Sequence, residues 1–266
     1  TIIVPYAAGG GVDLGSRLLA KYLSEATPVD VVVSNVAGGG GTVGAADCLK
    51  YDADGSYMLA LNPSPTYVST KDKPLTFDIL KDYEFAAIMV QDQRLFVTSA
   101  KNTNFQTVEE AIEYGKANPG KFNIGCSGTG NSAYATAEEF LEKTGIEGNV
   151  VPFDGSSEAK SAVLGGHIDV AVQSLSDVSS SMNEVTILAT GGEERFSKTP
   201  DVPCMTELGF PMAQYVTRGY AFKAGTDSAI INYWSDKIGE VCENEAFLKE
   251  ADSLGLPIVY MNHEEA

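Results

Sequence analysis

Three times along this chain a short β-branched run ends in glycines and turns directly into a helical stretch. The first copy is Thr1–Asp13, Thr-Ile-Ile-Val-Pro-Tyr-Ala-Ala-Gly-Gly-Gly-Val-Asp. The second, Val31–Gly44, reads Val-Val-Val-Ser-Asn-Val-Ala-Gly-Gly-Gly-Gly-Thr-Val-Gly. The third, Phe122–Ser132, carries Ser127-Gly-Thr-Gly-Asn-Ser132 ahead of a helix through Ala137, Phe140 and Leu141. A strand that passes through glycines into a helix leaves backbone N–H groups facing outward, with the positive end of the helix dipole behind them. Two such turns on neighbouring strands make one cradle for an anion. Strands alternating with helices place the chain in the α/β class with mostly parallel sheets, whose ligands lie off the carboxyl ends of the strands.

The remaining pattern agrees. Val12, Gly15, Leu19, Tyr22, Leu23 and Ala26 fall on one helical face, and Val29–Ser34 reads as the following strand. Tyr57–Leu61, Phe85–Val90, Leu95–Ser99, Asn149–Phe153, Ile168–Val172, Val185–Ala189 and Tyr215–Lys223 are further strands. Ile230, Ile231, Trp234 and Ile238 mark a helix near the end, and Pro257–Tyr260 a last strand. The strand Tyr57–Leu61 ends at Asn62-Pro-Ser-Pro-Thr66, which carries Ser64, and Thr66–Asp82, which carries Tyr67, is a polar, proline-marked surface excursion.

The formal charge of −18, from 36 acids against 18 bases, argues against a nucleic-acid partner. It also sets a field that repels anions, so a carboxylate ligand must be held by short-range oriented dipoles. No apolar run reaches the roughly 18–20 residues of a membrane-spanning helix. Thr1 leads straight into a strand, so a removed signal segment and no segment at all are equally consistent with the chain. Cys48, Cys126, Cys204 and Cys242 lack metal spacing, and buried free thiols are the plainer reading. His167 and His263 have no metal-like or triad-like neighbours. The glycine runs match neither the dinucleotide nor the P-loop spacing, and Ser127 is not in a nucleophile elbow. No cofactor, metal or catalytic group is expected. The alternatives to a binding protein are an α/β enzyme acting on a carboxylate ester or phosphate through Ser127 or Cys126, and a ligand sensor.

With these residues in place the chain resembles the extracytoplasmic solute receptors of tripartite tricarboxylate transporters, the Bug family. The resemblance rests on Ile3-Val-Pro-Tyr-Ala-Ala-Gly-Gly-Gly-Val-Asp13, Asn35-Val-Ala-Gly-Gly-Gly-Gly-Thr42 and Asp54-Gly-Ser-Tyr57. It continues through Ser127–Ser132, Val151-Pro-Phe-Asp-Gly155, Leu164-Gly-Gly-His-Ile-Asp169, Pro200-Asp-Val-Pro203, Glu207-Leu-Gly209 and Arg218-Gly219. Thr217, Val36-Ala37 and Asn62–Thr76 depart from the family pattern. The resemblance implies a two-lobe periplasmic-binding-protein fold, type II-like, with the ligand between lobes joined by two hinge crossings near Ser99–Asn102 and Gly219–Lys223. Lobe one is then 1–99 plus 223–266 and lobe two 100–222. It further implies a monomer outside the cytoplasm, periplasmic or lipid-anchored, that hands a small carboxylate to integral membrane transporter subunits.

Candidate contacts follow from both readings. Tyr6, Ala7, Gly10, Asn35, Gly38, Gly39 and Thr42 belong to the paired turns, and Ser64 to the turn that ends the strand Tyr57–Leu61. Ser127, Thr129, Asn131 and Ser132 offer hydroxyl and amide groups, although helix capping suits all four types. Asp154 and Gln173 lie at carboxyl ends of strands, and Arg218 is the base in the middle of its extended stretch. Arg218 either pairs with a ligand carboxylate or ties down a nearby acid. Asp13, in the first turn of a helix, is expected to complement its dipole.

Overall fold

A computed structural model describes residues 1–62 and 74–266; Ser64 and Tyr67 lie outside the described residues. The chain forms two compact units, Thr1–Gln91 with Thr217–Ala266, and Asp92–Val216.

The first unit opens with β1 (Ile2–Val4), α1 (Gly11–Ala26), β2 (Val33–Asn35), α2 (Thr42–Cys48), β3 (Met58–Leu61) and α3 (Ile79–Asp82). Strand β4 (Tyr83–Gln93) carries the chain across the unit boundary. The second unit holds β5 (Leu95–Ser99), α4 (Val108–Ala117), β6 (Phe122–Ser127), α5 (Ser132–Thr144), β7 (Gly148–Phe153), α6 (Ser156–Leu164), β8 (Val170–Gln173), α7 (Leu175–Val178) and β9 (Val185–Thr190). Strand β10 (Tyr215–Lys223) brings the chain back to α8 (Ser228–Cys242), α9 (Glu245–Ser253) and β11 (Ile258–Met261).

Each unit is built on one sheet, of order β11-β4-β10-β3-β1-β2 and β7-β6-β8-β5-β9 respectively. The sheets are mixed, where the repeating pattern predicted mostly parallel pairing. Strands reached through a helix run parallel: β1 with β2 and β3, and β6 with β7 and β8. The strands entered from a crossing run the other way. β5 is antiparallel to β8 and β9, and β10 to β3. A helical crossover returns the chain to the same end of the sheet, whereas a direct entry does not.

The central strands are apolar without interruption because both of their faces are covered. Ile2 and Val4 of β1 belong to the core under α1 and α8, while Ile3 points into the core with Ala45 and Cys48. Likewise Phe96 of β5 packs with Phe122 and Phe140, and its neighbours Leu95 and Val97 with Val163 and Val178. Side-chain alternation along a strand thus feeds two cores per sheet. The edge strand β2 is shorter than the predicted Val29–Ser34. Among the described residues it pairs with β1 alone, and Val29 and Val32 remain 48% and 55% exposed. All four cysteines are buried free thiols, and among the described residues no helix is long and apolar enough to cross a membrane.

Candidate functional site

The first two glycine turns lie side by side in the first unit. Parallel pairing sets Ile2 opposite Val33 and Val4 opposite Asn35, so both strands end at the same edge. Val36 N–H continues the ladder by donating to Val4 O at 2.8 Å. Beyond that edge one chain passes through Tyr6–Gly10 into α1, the other through Gly38–Gly41 into α2.

Turn one has Gly10 as N-cap of the 16-residue α1, in extended geometry and with no side-chain cap. Helix starts expose N–H groups that lack intrahelical acceptors. The buried carboxylate of Asp13 takes one nearby donor: Gly9 N–H donates to its Oδ2 at 2.9 Å. Arg17 Nε donates to both oxygens, at 3.0 and 3.1 Å, and Asn35 Nδ2 to Oδ1 at 2.9 Å. Burial alone pushes this carboxyl's pKa up, but the hydrogen bonds from Arg17, Gly9 and Asn35 and the Arg17 charge hold it below the ordinary value. Asp13 therefore does more than complement a dipole.

Asn35 is tied into the same network. Its Nδ2 also donates to Tyr6 O at 3.1 Å, and its Oδ1 accepts from Arg17 Nη2 at 2.9 Å. Both amide hydrogens thus have acceptors within the paired turns. Tyr6 is buried, and its hydroxyl donates to Gly40 O at 3.5 Å, a long bond linking the two turns.

Turn two is built from four consecutive positive φ values, 132, 60, 67 and 104° at Gly38 to Gly41. Residues with a Cβ adopt such angles only at a cost, so the run of glycine is dictated by the path. Gly41 N–H and Val43 N–H both donate to Gly38 O, and Thr42 Oγ1 to Gly39 O at 3.0 Å. Gly39 is exposed, and Ala7 and Thr42 are half-buried.

In the second unit the carboxyl end of β6 presents Ser127, half-buried, and Thr129, exposed. Asn131 is the N-cap of α5: its Oδ1 accepts from Tyr134 N–H at 3.0 Å, and its Nδ2 donates to Ser127 O. Ser132 Oγ accepts from Nη2 of the buried Arg94 at 2.7 Å. Asp154, after β7, is exposed, its N–H donating to Glu158. Gln173 ends β8 fully buried, with Nε2 donating to Ser156 O at 3.3 Å and, among the described residues, no hydrogen-bond partner at Oε1. Leu95 pairs with Gln173, so Arg94, one residue before β5, stands at this same edge. Arg218 belongs to the first unit, buried in β10 beside Gly219, which pairs with Leu61.

Sequence reasoning passed over Arg94, Asp92 and Asp177. Asp92 Oδ2 accepts from Leu175 N–H at 3.1 Å, while Asp177 caps α7 from within and accepts from Ser156 Oγ at 2.6 Å. The available signal was a charged pair, Asp92-Gln-Arg94, wedged between two apolar strands, where charge is rarely buried without a reason.

Cys126, the candidate nucleophile, is fully buried, and burial pushes its thiol up to about 12. Its Sγ donates to Gly128 O at 3.5 Å. A thiol held protonated this far above neutrality is not an activated nucleophile.

The profile of the family described as "TctC: Tripartite tricarboxylate transporter family receptor" matches residues 16–266. The chain is 30% identical over 258 residues to Protein BugT of Bordetella pertussis, covering 93% of this chain and 77% of that protein. A solved periplasmic transporter superposes with a TM-score of 0.92 at 26% identity, over 99% of this chain and 89% of the other. Two more distant structures share the fold. An R. palustris protein solved with adipate has a TM-score of 0.92 at 20% identity, over 99% of this chain and 89% of its own. MatC from Rhodopseudomonas palustris, with bound malate, has a TM-score of 0.87 at 20% identity, over 97% and 88%. The chain belongs to the tripartite tricarboxylate transporter receptors, the TctC or Bug family of non-enzymatic binding proteins.

Proposed function

We propose that this protein is an extracytoplasmic receptor that captures a small carboxylate and delivers it to the membrane subunits of a tripartite transporter. The observation that carries the reading is the pairing of the two glycine turns at the carboxyl ends of adjacent parallel strands. Successive backbone N–H groups in left-handed turns and at a helix start suit an anion, and they need no net positive charge. That matters in a chain of formal charge −18.

In this reading Tyr6, Ala7, Gly10, Gly38, Gly39 and Thr42 surround one carboxylate, and Asn35 acts on the same group through the turn it holds. Ser127, Thr129, Asn131, Ser132, Asp154 and Gln173 offer polar groups from the second unit, and Arg218 from the returning strand. Relatives of the fold hold adipate and malate, so these two dicarboxylates are the first probes.

The test is calorimetric titration and thermal shift with adipate, malate and a monocarboxylate such as acetate. Wild type should bind at least one dicarboxylate and gain about 2.7 kcal/mol at 100 times its Kd. Gly39→Val places a branched side chain on an exposed turn at φ 60°; it should lose that gain while keeping the far-ultraviolet dichroism of wild type. Full stabilisation of Gly39→Val by the same ligand would remove the turns from the site.

A further inference from the structure

We infer that Asp13 is a positioning residue for ligand capture: its carboxylate ties the first glycine turn to the end of β2, which leads into the second, and Arg17 cancels its charge so that the pair does not repel an incoming carboxylate. The inference rests on the function proposed above.

The geometry supports both halves. Asp13 is 2% exposed and sits in the first turn of α1. Its Oδ2 accepts from Gly9 N–H of turn one at 2.9 Å and its Oδ1 from Asn35 Nδ2, at the end of β2, at 2.9 Å. Asn35 Nδ2 also reaches back to Tyr6 O at 3.1 Å. One carboxylate and one amide therefore fix turn one against the strand that leads into turn two. Among the described residues the groups hydrogen-bonded to the two carboxylate oxygens are donors: Gly9 N–H, Asn35 Nδ2 and Arg17 Nε. An acceptor-only group suits that ring, whereas an amide of the same shape must turn its NH2 toward one of these donors. Asparagine fits the space and fails the chemistry.

The charge half follows from position. A lone carboxylate beside a carboxylate receptor would oppose the ligand. Arg17 Nε lies at 3.0 Å from Oδ1 and 3.1 Å from Oδ2, and Arg17 Nη2 donates to Asn35 Oδ1 at 2.9 Å. The guanidinium thus neutralises Asp13 and braces Asn35 at once. Its side chain is half exposed, 51%, so its removal opens no buried cavity.

The experiment titrates adipate and malate into wild type, Asp13→Asn, Arg17→Ala and the double variant, at low and high salt. Asp13→Asn should weaken binding at least tenfold at high salt, where the Arg17 charge it leaves unpaired is screened and the loss is one of geometry. Arg17→Ala should weaken it severalfold at low salt and less at high salt, because it leaves an uncompensated negative charge. The double variant should bind no worse than Asp13→Asn alone, a non-additivity that two independent structural defects would not give. Asp13→Asn binding within twofold of wild type overturns the inference, even where its Tm falls. Should Asp13→Asn fail to fold, Arg17→Ala decides: unchanged affinity, or a loss indifferent to salt, overturns it. Wild type that binds neither dicarboxylate instead overturns the proposed function and this inference with it, and only that outcome touches the former.

Discussion

Two aspartates show how far a residue's surroundings outweigh its type. Burial opposes ionisation of Asp13, but Arg17, Gly9 and Asn35 prevail and its pKa lies below the ordinary value. Asp169 is half-buried with one backbone donor, Asn123 N–H at 2.8 Å, and there burial prevails and raises the pKa. The signs of the two linkages are opposite. Asp13 contributes stability above the unfolded carboxyl pKa of about 3.9, and the contribution disappears as pH falls through the lower folded value. Asp169 costs stability at neutral pH, a cost relieved as pH falls through its raised value. Denaturant unfolding against pH should therefore show Asp13→Asn less stable than wild type at pH 7 and converging with it in acid. Asp169→Asn should be at least as stable as wild type at pH 7. A close backbone approach constrains Gly44, where an added Cβ would sit 2.6 Å from Val36 O and 2.7 Å from Pro5 Cα. Both are backbone atoms that cannot swing aside, so Gly44→Ala should cost about 1–3 kcal/mol as an overpacking change. A melting point within one degree of wild type would show that α2 shifts freely. Sequence shows an acid four residues after Gly9. That Asn35 would meet it depends on β1 and β2 pairing in one register, which no local pattern states.

At the scale of elements, the strands that face two cores were the most legible, because an apolar run bounded by turn residues has few other solutions. Leu95–Ser99 and Tyr215–Lys223 match β5 and β10 residue for residue. The start of α4 is set by a local cap. Thr107 Oγ1 accepts from Glu110 N–H at 3.2 Å, and Glu110 Oε2 accepts from Thr107 N–H at 3.2 Å, closing a capping box at α4. Thr107→Ala should cost about 1 kcal/mol in denaturant unfolding; no loss would mean that packing of Val108, Ala111 and Ile112 alone sets where this helix begins. Short elements without periodicity, α3 and α7, were not legible, nor was the direction of strands entered from a crossing. Direction is set by which end of a sheet the chain reaches, a property of the path and not of the strand. For the same reason the glycine turns could be named in advance, while Arg94 could not. Its place beside Ser132 follows from β5 running antiparallel to β8, with Leu95 opposite Gln173.

For the whole molecule, the net charge and the proposed ligand are in tension, and the tension is measurable. A chain of −18 repels a dicarboxylate over a distance of about a Debye length, roughly 8 Å at physiological salt. Backbone dipoles act within the first shell only, so they set how long the ligand stays more than how fast it arrives. Raising ionic strength should then accelerate malate or adipate association, the reverse of the usual behaviour of a receptor whose field steers its ligand. Dissociation should change little, because the main-chain contacts are shielded from bulk ions. Stopped-flow mixing at several salt concentrations separates the two rates. An association rate that falls with salt would mean that a local positive field, centred on Arg17, Arg94 or Arg218, overrides the net charge, and charge reversal at each of these three would then identify which. A flat association rate with salt-sensitive dissociation would instead place side-chain charge, not backbone amides, in direct contact with the carboxylate.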